Sequence, residues 1–332
     1  MDRRRLLGAF IIGAALATAI VVAQWASDPQ HKTSYGDGLI YRYVAAHFTT
    51  LPSQIDPIVV ERGTSLRYGR VGLPAMIWIA SGGRPSLMQY AHPALMVLAA
   101  GAASAAAAAL LPGAGPPAAA LPFLAPGFPL SIAGGFGDGV ALALCLWGGF
   151  LALKARWWPA GLVLGYAVLT RENAVFVVAG IALWSLLNRG VRPLVPLLVG
   201  LVPVTIWYAF VASRFGHVPV LDPYLRTATS SIPVVALIKS FTAAYSSSSV
   251  AALLIHLVMA GVLVALFRSS FFALVGAVVT TQILVSGPYV WRFIGEAFRV
   301  SVLIQIFLLL ALIAWRRPVV AEPKAVPAVA RT

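Results

Sequence analysis

The sequence predicts an all-α, polytopic membrane protein with about ten transmembrane helices and a helical first outer loop. Three observations carry this. Of 332 residues, 60% are apolar and only 10% charged, against about 45–50% and about 25% in soluble domains. The apolar residues gather into runs close to the about 20 residues that cross a hydrocarbon core about 30 Å thick. The 24 Lys and Arg exceed the 10 Asp and Glu by 14, yet they fall in short clusters between those runs, where they read as topology signals rather than as a nucleic-acid surface. An ordinary soluble enzyme is excluded. Five His and one Cys, Cys145, offer neither a disulfide framework nor a Cys/His zinc spacing.

The first run, 6–25, follows Arg3, Arg4 and Arg5. Its apolar core is long and no clean small-x-small cleavage site follows, so it reads as an uncleaved anchor with a cytoplasmic N-terminus. Residues 27–88 form the main outer loop, with Asp28, Asp37, Asp56 and Glu61 in its polar part. Within it, 71–81 is too short to span and carries Pro74, which predicts a helix lying at the interface. The other spans are expected at 89–111, 117–131, 138–153, 157–170, 173–187, 193–213, 250–267, 271–288 and 299–315. Residues 1–315 thus make one membrane domain, and the Pro/Ala-rich 316–332 a disordered cytoplasmic tail.

Ten crossings place both termini in the cytoplasm. The inner side then holds twelve basic residues, among them Lys154, Arg156, Arg189, Arg192 and Arg268, against Asp2 and Glu322, as the positive-inside rule requires. Residues 157–187 would extend about 46 Å as one helix, too long for one crossing and short for two. Two short helices meeting at Arg171–Glu172 put these charges below the outer surface, where only a protein-lined or watered cavity tolerates them. The Ala/Gly-rich 101–120 favours close helix approach.

Several constellations could carry chemistry. In YGDGLIYRY, Asp37 stands between two glycines, where it is either a general base or metal ligand or the cap of the helix that follows. Tyr41 in the same motif reads more readily as an interface aromatic. SLRYGR sets Arg67 and Arg70 three residues apart on one helical face, suited to a phosphate or to lipid headgroups. GGFGDG opens a span with Asp138, a second outer carboxylate or a residue favoured by the helix N-terminus. In VLTREN, Arg171 is expected to contact phosphate and Glu172 to orient it. Along YVWRFIGEAFR, Trp291, Arg292, Glu296 and Arg299 fall on or near one face by three-and-four spacing, an aromatic platform for a sugar with a phosphate site beside it. His217, in the outer loop with Asp222, Tyr224 and Arg226, is expected to have no chemical role.

In their order, the anchor, the first outer loop with its early acid, the Pro-bearing interface helix, Asp138 and the segment GYAVLTREN resemble the GT-C superfamily of membrane glycosyltransferases. The similarity is greatest to small bacterial members of the protein O-mannosyltransferase and aminoarabinose-transferase group. The resemblance covers residues 1 to about 300 and rests on short, degenerate motifs. It implies sugar transfer from a polyprenyl-phosphate carrier to a glycan, lipid or protein acceptor on the outer face of the plasma (inner) membrane. It also implies Asp37 as the catalytic acid of the first loop, Asp138 as the second and Arg171 near the carrier phosphate. The sequence departs from the pattern in its lone Asp37, in Arg for Lys at 171 and in lacking a soluble C-terminal domain. These departures leave open the acceptor and a divalent metal. The expectation is an inverting, polyprenyl-phosphate-sugar-dependent glycosyltransferase with Asp37 and Asp138 catalytic. Arg171, Arg67, Arg70 and Arg292 would bind the carrier phosphate, and Glu172, Tyr41, Trp291 and Glu296 the substrate. The alternatives are a non-catalytic subunit of envelope polysaccharide assembly and a lipid-carrier flippase or transporter.

Overall fold

A computed structural model describes residues 2–27, 37–48, 54–61, 63–222, 247–286, 288–291 and 294–316. Among them all regular structure is helical and no strand occurs. Helix α1 (Arg3–Ser27) is followed by four short helices of the first loop, α2 (Asp37–Ala46), α3 (Pro57–Glu61), α4 (Thr64–Gly69) and α5 (Gly72–Ala80). Then come α6 (Pro85–Leu110), α7 (Pro117–Ala120) with a 3₁₀ turn, α8 (Gly127–Gly134), α9 (Gly137–Leu153), α10 (Trp157–Thr170), α11 (Val175–Arg189) and α12 (Leu194–Phe215). The chain resumes with α13 (Ser247–Ala265), α14 (Phe271–Val279), α15 (Thr281–Val285), α16 (Pro288–Trp291), α17 (Ile294–Val300) and α18 (Val302–Arg316). The expected tail lies, beyond Arg316, outside the described residues.

Helices α1, α6 and α12 are long and apolar enough to cross a membrane by themselves. Two bent pairs, α7–α8 at 77° and α17–α18 at 64°, bring the number to five if each is one span. Gln305 serves both bends: it accepts from Gly127 N, at the first, at 3.1 Å and donates to Phe298 O, at the second, at 2.6 Å, satisfying backbone groups that a kink leaves open. Other apolar helices are shorter. Helix α10, with 14 residues, rises about 21 Å.

Helix directions follow from side-chain contacts. Helices α6 and α9 run parallel, since His92 meets Gly135 O at 2.9 Å and, further along, Trp147 Nε1 donates to Ala102 O at 3.0 Å. Helices α10 and α12 are also parallel: Gly161 faces Pro196 and Gly165 faces Gly200, and a Cβ at either glycine would strike the other helix's backbone. Helix α11 must therefore return between them. Its Trp184 packs edge-on against Phe271 of α14 at 5.0 Å and lies 6.5 Å from Trp157 of α10. That end of the bundle carries Lys154, Arg156, Arg189, Arg192 and Arg268 in its turns, and there the Arg5 guanidinium donates to Leu111 O at 3.0 Å. The opposite end gathers the first loop, the start of α9, the α10–α11 break and α17.

Candidate functional site

At this second end, four arginines and four carboxylates from five parts of the chain meet. Their local backbones explain why they point inward. Gly135 adopts φ 65°, a left-handed turn open to glycine at little cost. This reverses the chain from α8 into α9, and Ser131 Oγ closes the turn by accepting from Gly139 N at 2.7 Å. Asp138 thereby lies in the first turn of α9, where the helix dipole favours an anion. Helix α10 ends at Thr170, and Arg171 is extended at φ −154°, ψ 119° before a 3₁₀ turn, Glu172–Ala174, leads into α11. Gly72 allows α5 to lie directly on Thr170, because any Cβ there would meet the Thr170 hydroxyl and backbone.

Asp138 is the inner anchor. Its Oδ1 lies 2.8 Å from Arg171 Nε and its Oδ2 accepts from Arg299 Nη1 at 2.7 Å. Asp37 is the outer one: Oδ2 lies 2.7 Å from Arg67 Nη1 and 4.0 Å from both Arg70 Nη1 and Arg299 Nη2. Arg299 therefore bridges the two acids. It also pairs with Glu296, and its guanidinium stacks over the Phe136 ring, 4.3 Å from the centroid. Arg70 forms a two-pronged pair with Glu172, Nε to Oε2 at 2.8 Å and Nη2 to Oε1 at 2.5 Å. The arginine side chains are 4–7% exposed, so their charges are withdrawn from water and are matched four against four.

This pairing determines the protonation of Asp37. Burial alone would raise its pKa, but Arg67, then Arg299, Arg70 and Arg171 outweigh burial and hold the carboxyl far below its ordinary value of 3.8. Among the described residues no group of three or more His, Cys, Asp or Glu is placed to hold a metal ion. Arginines pair with these carboxylates, so among the described residues the side chains do not fit a divalent metal.

The chain stands without a match. Neither family models, curated proteins nor solved structures match this sequence or fold.

The structure brings together Asp37, Asp138, Arg67, Arg70, Arg171, Glu172 and Glu296, all singled out by sequence. Tyr41 is buried beside them, its hydroxyl facing Gly137. Two expectations change. Glu172 pairs with Arg70 and not with Arg171, because the extended backbone at 171 turns neighbouring side chains apart. Trp291 is no surface platform: it is buried against His256, at 5.2 Å between ring centroids. Arg292 lies outside the described residues, as do Tyr224 and Arg226. Arg299, grouped by sequence with Trp291, Arg292 and Glu296 but given no role of its own, is the hub. Asp222, also unassigned by sequence, is structural, accepting from Ser65 Oγ and from Leu66 N at 3.2 Å and so fixing the helix that carries Arg67.

Beside the cluster lies a cavity of about 330 Å³ whose lining includes Arg70, Arg171, Glu172, Asn173 and Gln282 with Phe176 and several Val residues. Arg171 Nη1 is buried without a hydrogen-bond partner. Arg171 is thus held through Nε by Asp138 and contributes to the cavity wall.

Proposed function

We propose that this protein is a membrane glycosyltransferase that moves a sugar from a polyprenyl-phosphate carrier to a glycan, lipid or protein acceptor at the outer face of the plasma membrane. One observation carries the reading: buried arginines and carboxylates converge at a single end of an apolar helical bundle, beside a cavity and opposite the basic end. Ionised groups withdrawn into a membrane protein are costly and mark function or pairing. Pairing alone would be met by two charges, not eight. The resemblance to the GT-C superfamily, which rests on Asp37, Asp138 and Arg171, points to the same end of the molecule.

In this reading the chain crosses ten times, with the basic turns cytoplasmic and the cluster outside. The alternation of helix directions supports it, as does the share of Lys and Arg at the far end. The donor phosphate rests on Arg171 and draws on Arg67 and Arg70. The acceptor oxygen attacks the anomeric carbon, the bond from that carbon to the phosphate oxygen breaks, and the configuration inverts. Guanidinium groups stabilise charge on the departing polyprenyl phosphate, and Asp37 takes the acceptor's proton. Before the donor binds, Asp37 is a weak base because arginines hold it. A phosphate that shares those arginines loosens this hold, so the carboxylate gains proton affinity when substrate is present. Binding and base activation are thus coupled through the same guanidinium groups.

Mass spectrometry of envelope glycans and lipid-linked sugars from a deletion strain tests the reading. The expected result is accumulation of one glycosylated polyprenyl phosphate with loss of one sugar from a mature acceptor. Unchanged glycans and carrier lipids would contradict it.

A further inference from the structure

Arg70 and Glu172 stand as an ion pair in the wall of the cavity, together with Arg171. Their contact is two-pronged, Nε to Oε2 at 2.8 Å and Nη2 to Oε1 at 2.5 Å, which is the geometry in which a guanidinium also takes two oxygens of a phosphate. The two partners are unequally covered. The Arg70 side chain is 6% exposed, and that of Glu172 is 24% exposed. A phosphate that reaches this edge of Arg70 must therefore take the place of the Glu172 carboxylate.

Charge and geometry single out the same residue. The cluster is matched, with Arg67, Arg70, Arg171 and Arg299 against Asp37, Asp138, Glu172 and Glu296. A phosphate brings further negative charge to it, so a carboxylate has to withdraw toward water. Asp138 has no exposed side-chain surface and is shared by two arginines. Asp37 lies within 4.0 Å of three arginines. Glu296 is not part of the cavity lining. Glu172 is in the wall, comes within ion-pair distance of one arginine among the described residues, and opens a 3₁₀ turn after the extended Arg171. Rotation about its own side-chain bonds can release it without moving a packed helix. The opposite need holds when no other anion is bound, since a guanidinium buried without an acceptor is costly, and Glu172 supplies that acceptor.

We propose that Glu172 is a displaceable internal occupant of an anion site on Arg70, holding the guanidinium fork until two phosphate oxygens of the lipid-linked donor replace it. This rests on the phosphate-binding part of the glycosyl-transfer reading and adds to it the way in which the phosphate enters. It also reverses the sign expected of Glu172. A substrate-binding residue raises affinity, whereas an internal occupant lowers it, because only the fraction of molecules with the fork open can bind.

Binding of octyl phosphate and inorganic phosphate to the purified full-length protein in detergent tests this by two routes. In the first, Glu172→Gln keeps the size and a hydrogen-bonding oxygen but loses the competing charge, and it should bind octyl phosphate about tenfold more tightly than the unsubstituted protein. A general field effect would give the same gain in Glu296→Gln, where the gain is expected to stay below about threefold. Adding Arg70→Met to Glu172→Gln should erase the gain. Each variant is read from a monodisperse gel-filtration peak. The second route changes no residue: carbodiimide labelling of Glu172, measured by peptide mass spectrometry relative to Glu296, should rise severalfold when octyl phosphate saturates the protein. Equal or weaker binding by a folded Glu172→Gln would overturn the proposal, as would an equal gain in Glu296→Gln or a gain that survives Arg70→Met. So would labelling of Glu172 that stays constant or falls, or no binding of either probe. Octyl phosphate is expected to bind the more tightly of the two, and inorganic phosphate binding as well or better would overturn the assignment to a lipid-linked donor. The two readings fail separately. Displacement of Glu172 without any transfer in membranes would sink the transferase and keep the occupant, whereas transfer with no displacement would do the reverse.

Discussion

The α1–α6 seam and the arginine–carboxylate cluster are both buried, and they are built from opposite chemistry. Along α1 the buried positions are Ala9, Gly13, Ala17 and Val21, four residues apart, a stripe of small side chains on one helical face. Facing it, α6 buries Ala99, Ala100, Ala103, Ala106 and Ala107. A Cβ at Gly13 would meet Ser104 and the Ala100 carbonyl, and one at Gly101 would meet the Phe10 ring. The seam is held by closeness alone, which is how helices associate in lipid, where apolar burial gives little between them. The cluster holds arginines at 4–7% exposure that a bundle could do without. Replacing a buried ion pair by packed apolar residues is often neutral or stabilising. Stability explains the seam and does not explain the cluster, which is why function is assigned to the second.

Substitutions should divide along that line. The largest effect is expected for Asp138→Ala, which leaves Arg171 and Arg299 buried without their shared acid. A loss of about 3–5 kcal/mol should appear as a collapse of folded yield in detergent. Next is Gly13→Leu in the seam, which overpacks a close contact at about 1–3 kcal/mol and should lower the melting temperature while transfer per folded molecule stays unchanged. A seam variant that removed transfer and left the melting temperature intact would break the contrast between the two regions.

Smaller, and sharper, is the comparison of Arg171→Lys with Arg171→Ala. Lysine keeps the charge and loses the planar fork that serves Asp138 and a phosphate together. Donor binding should fall modestly in Arg171→Lys and by tenfold or more in Arg171→Ala. Equal loss of folded protein in both, with donor affinity untouched, would reduce Arg171 to an ion-pair partner.

The smallest effect concerns pH. Asp37 has a lower pKa folded than its ordinary 3.8, so below that value the unfolded chain binds the extra proton. Its contribution is complete above about pH 5 and falls away as pH drops toward the folded value. The acid limb of kcat/KM, which reports the free enzyme, should lie below about pH 4, whereas that of kcat should lie higher, because bound phosphate relaxes the arginines' hold. Coincident limbs would contradict the coupling of binding and base activation by showing that the donor does not alter Asp37.

Much of this was legible in the sequence, for physical reasons that also mark where legibility ends. The break at Arg171 could be read because 31 apolar-flanked residues match neither one crossing nor two, and the helix does end at Thr170. Helix α5, Gly72–Ala80, follows from the shortness of the run around Pro74. Asp37, Asp138, Arg67 and Arg70 stood out as charges beside apolar runs. Their partners did not, because pairing depends on helix direction and on the rotation of each helix, which no local pattern encodes. Glu172 was matched to its sequence neighbour and instead meets Arg70, 102 positions away. Trp291 was grouped with Glu296 by spacing and is instead buried against His256. Arg299, the residue that joins both acids, carried no local mark apart from its distance to Glu296.

The central claim is that Asp37 acts as a base at this cluster and does not merely complete it. Asp37→Asn keeps the size and a hydrogen-bonding oxygen but removes the charge and the basicity, and Asn serves about as well as Asp at a helix start. The decisive measurement is sugar transfer in membranes carrying Asp37→Asn, made alongside binding of the polyprenyl-phosphate donor to the same preparation. The account predicts that transfer is abolished while donor binding and protein level are nearly retained. Near-normal transfer would contradict it, removing Asp37 from the chemistry and leaving the eight charges as a structural joint.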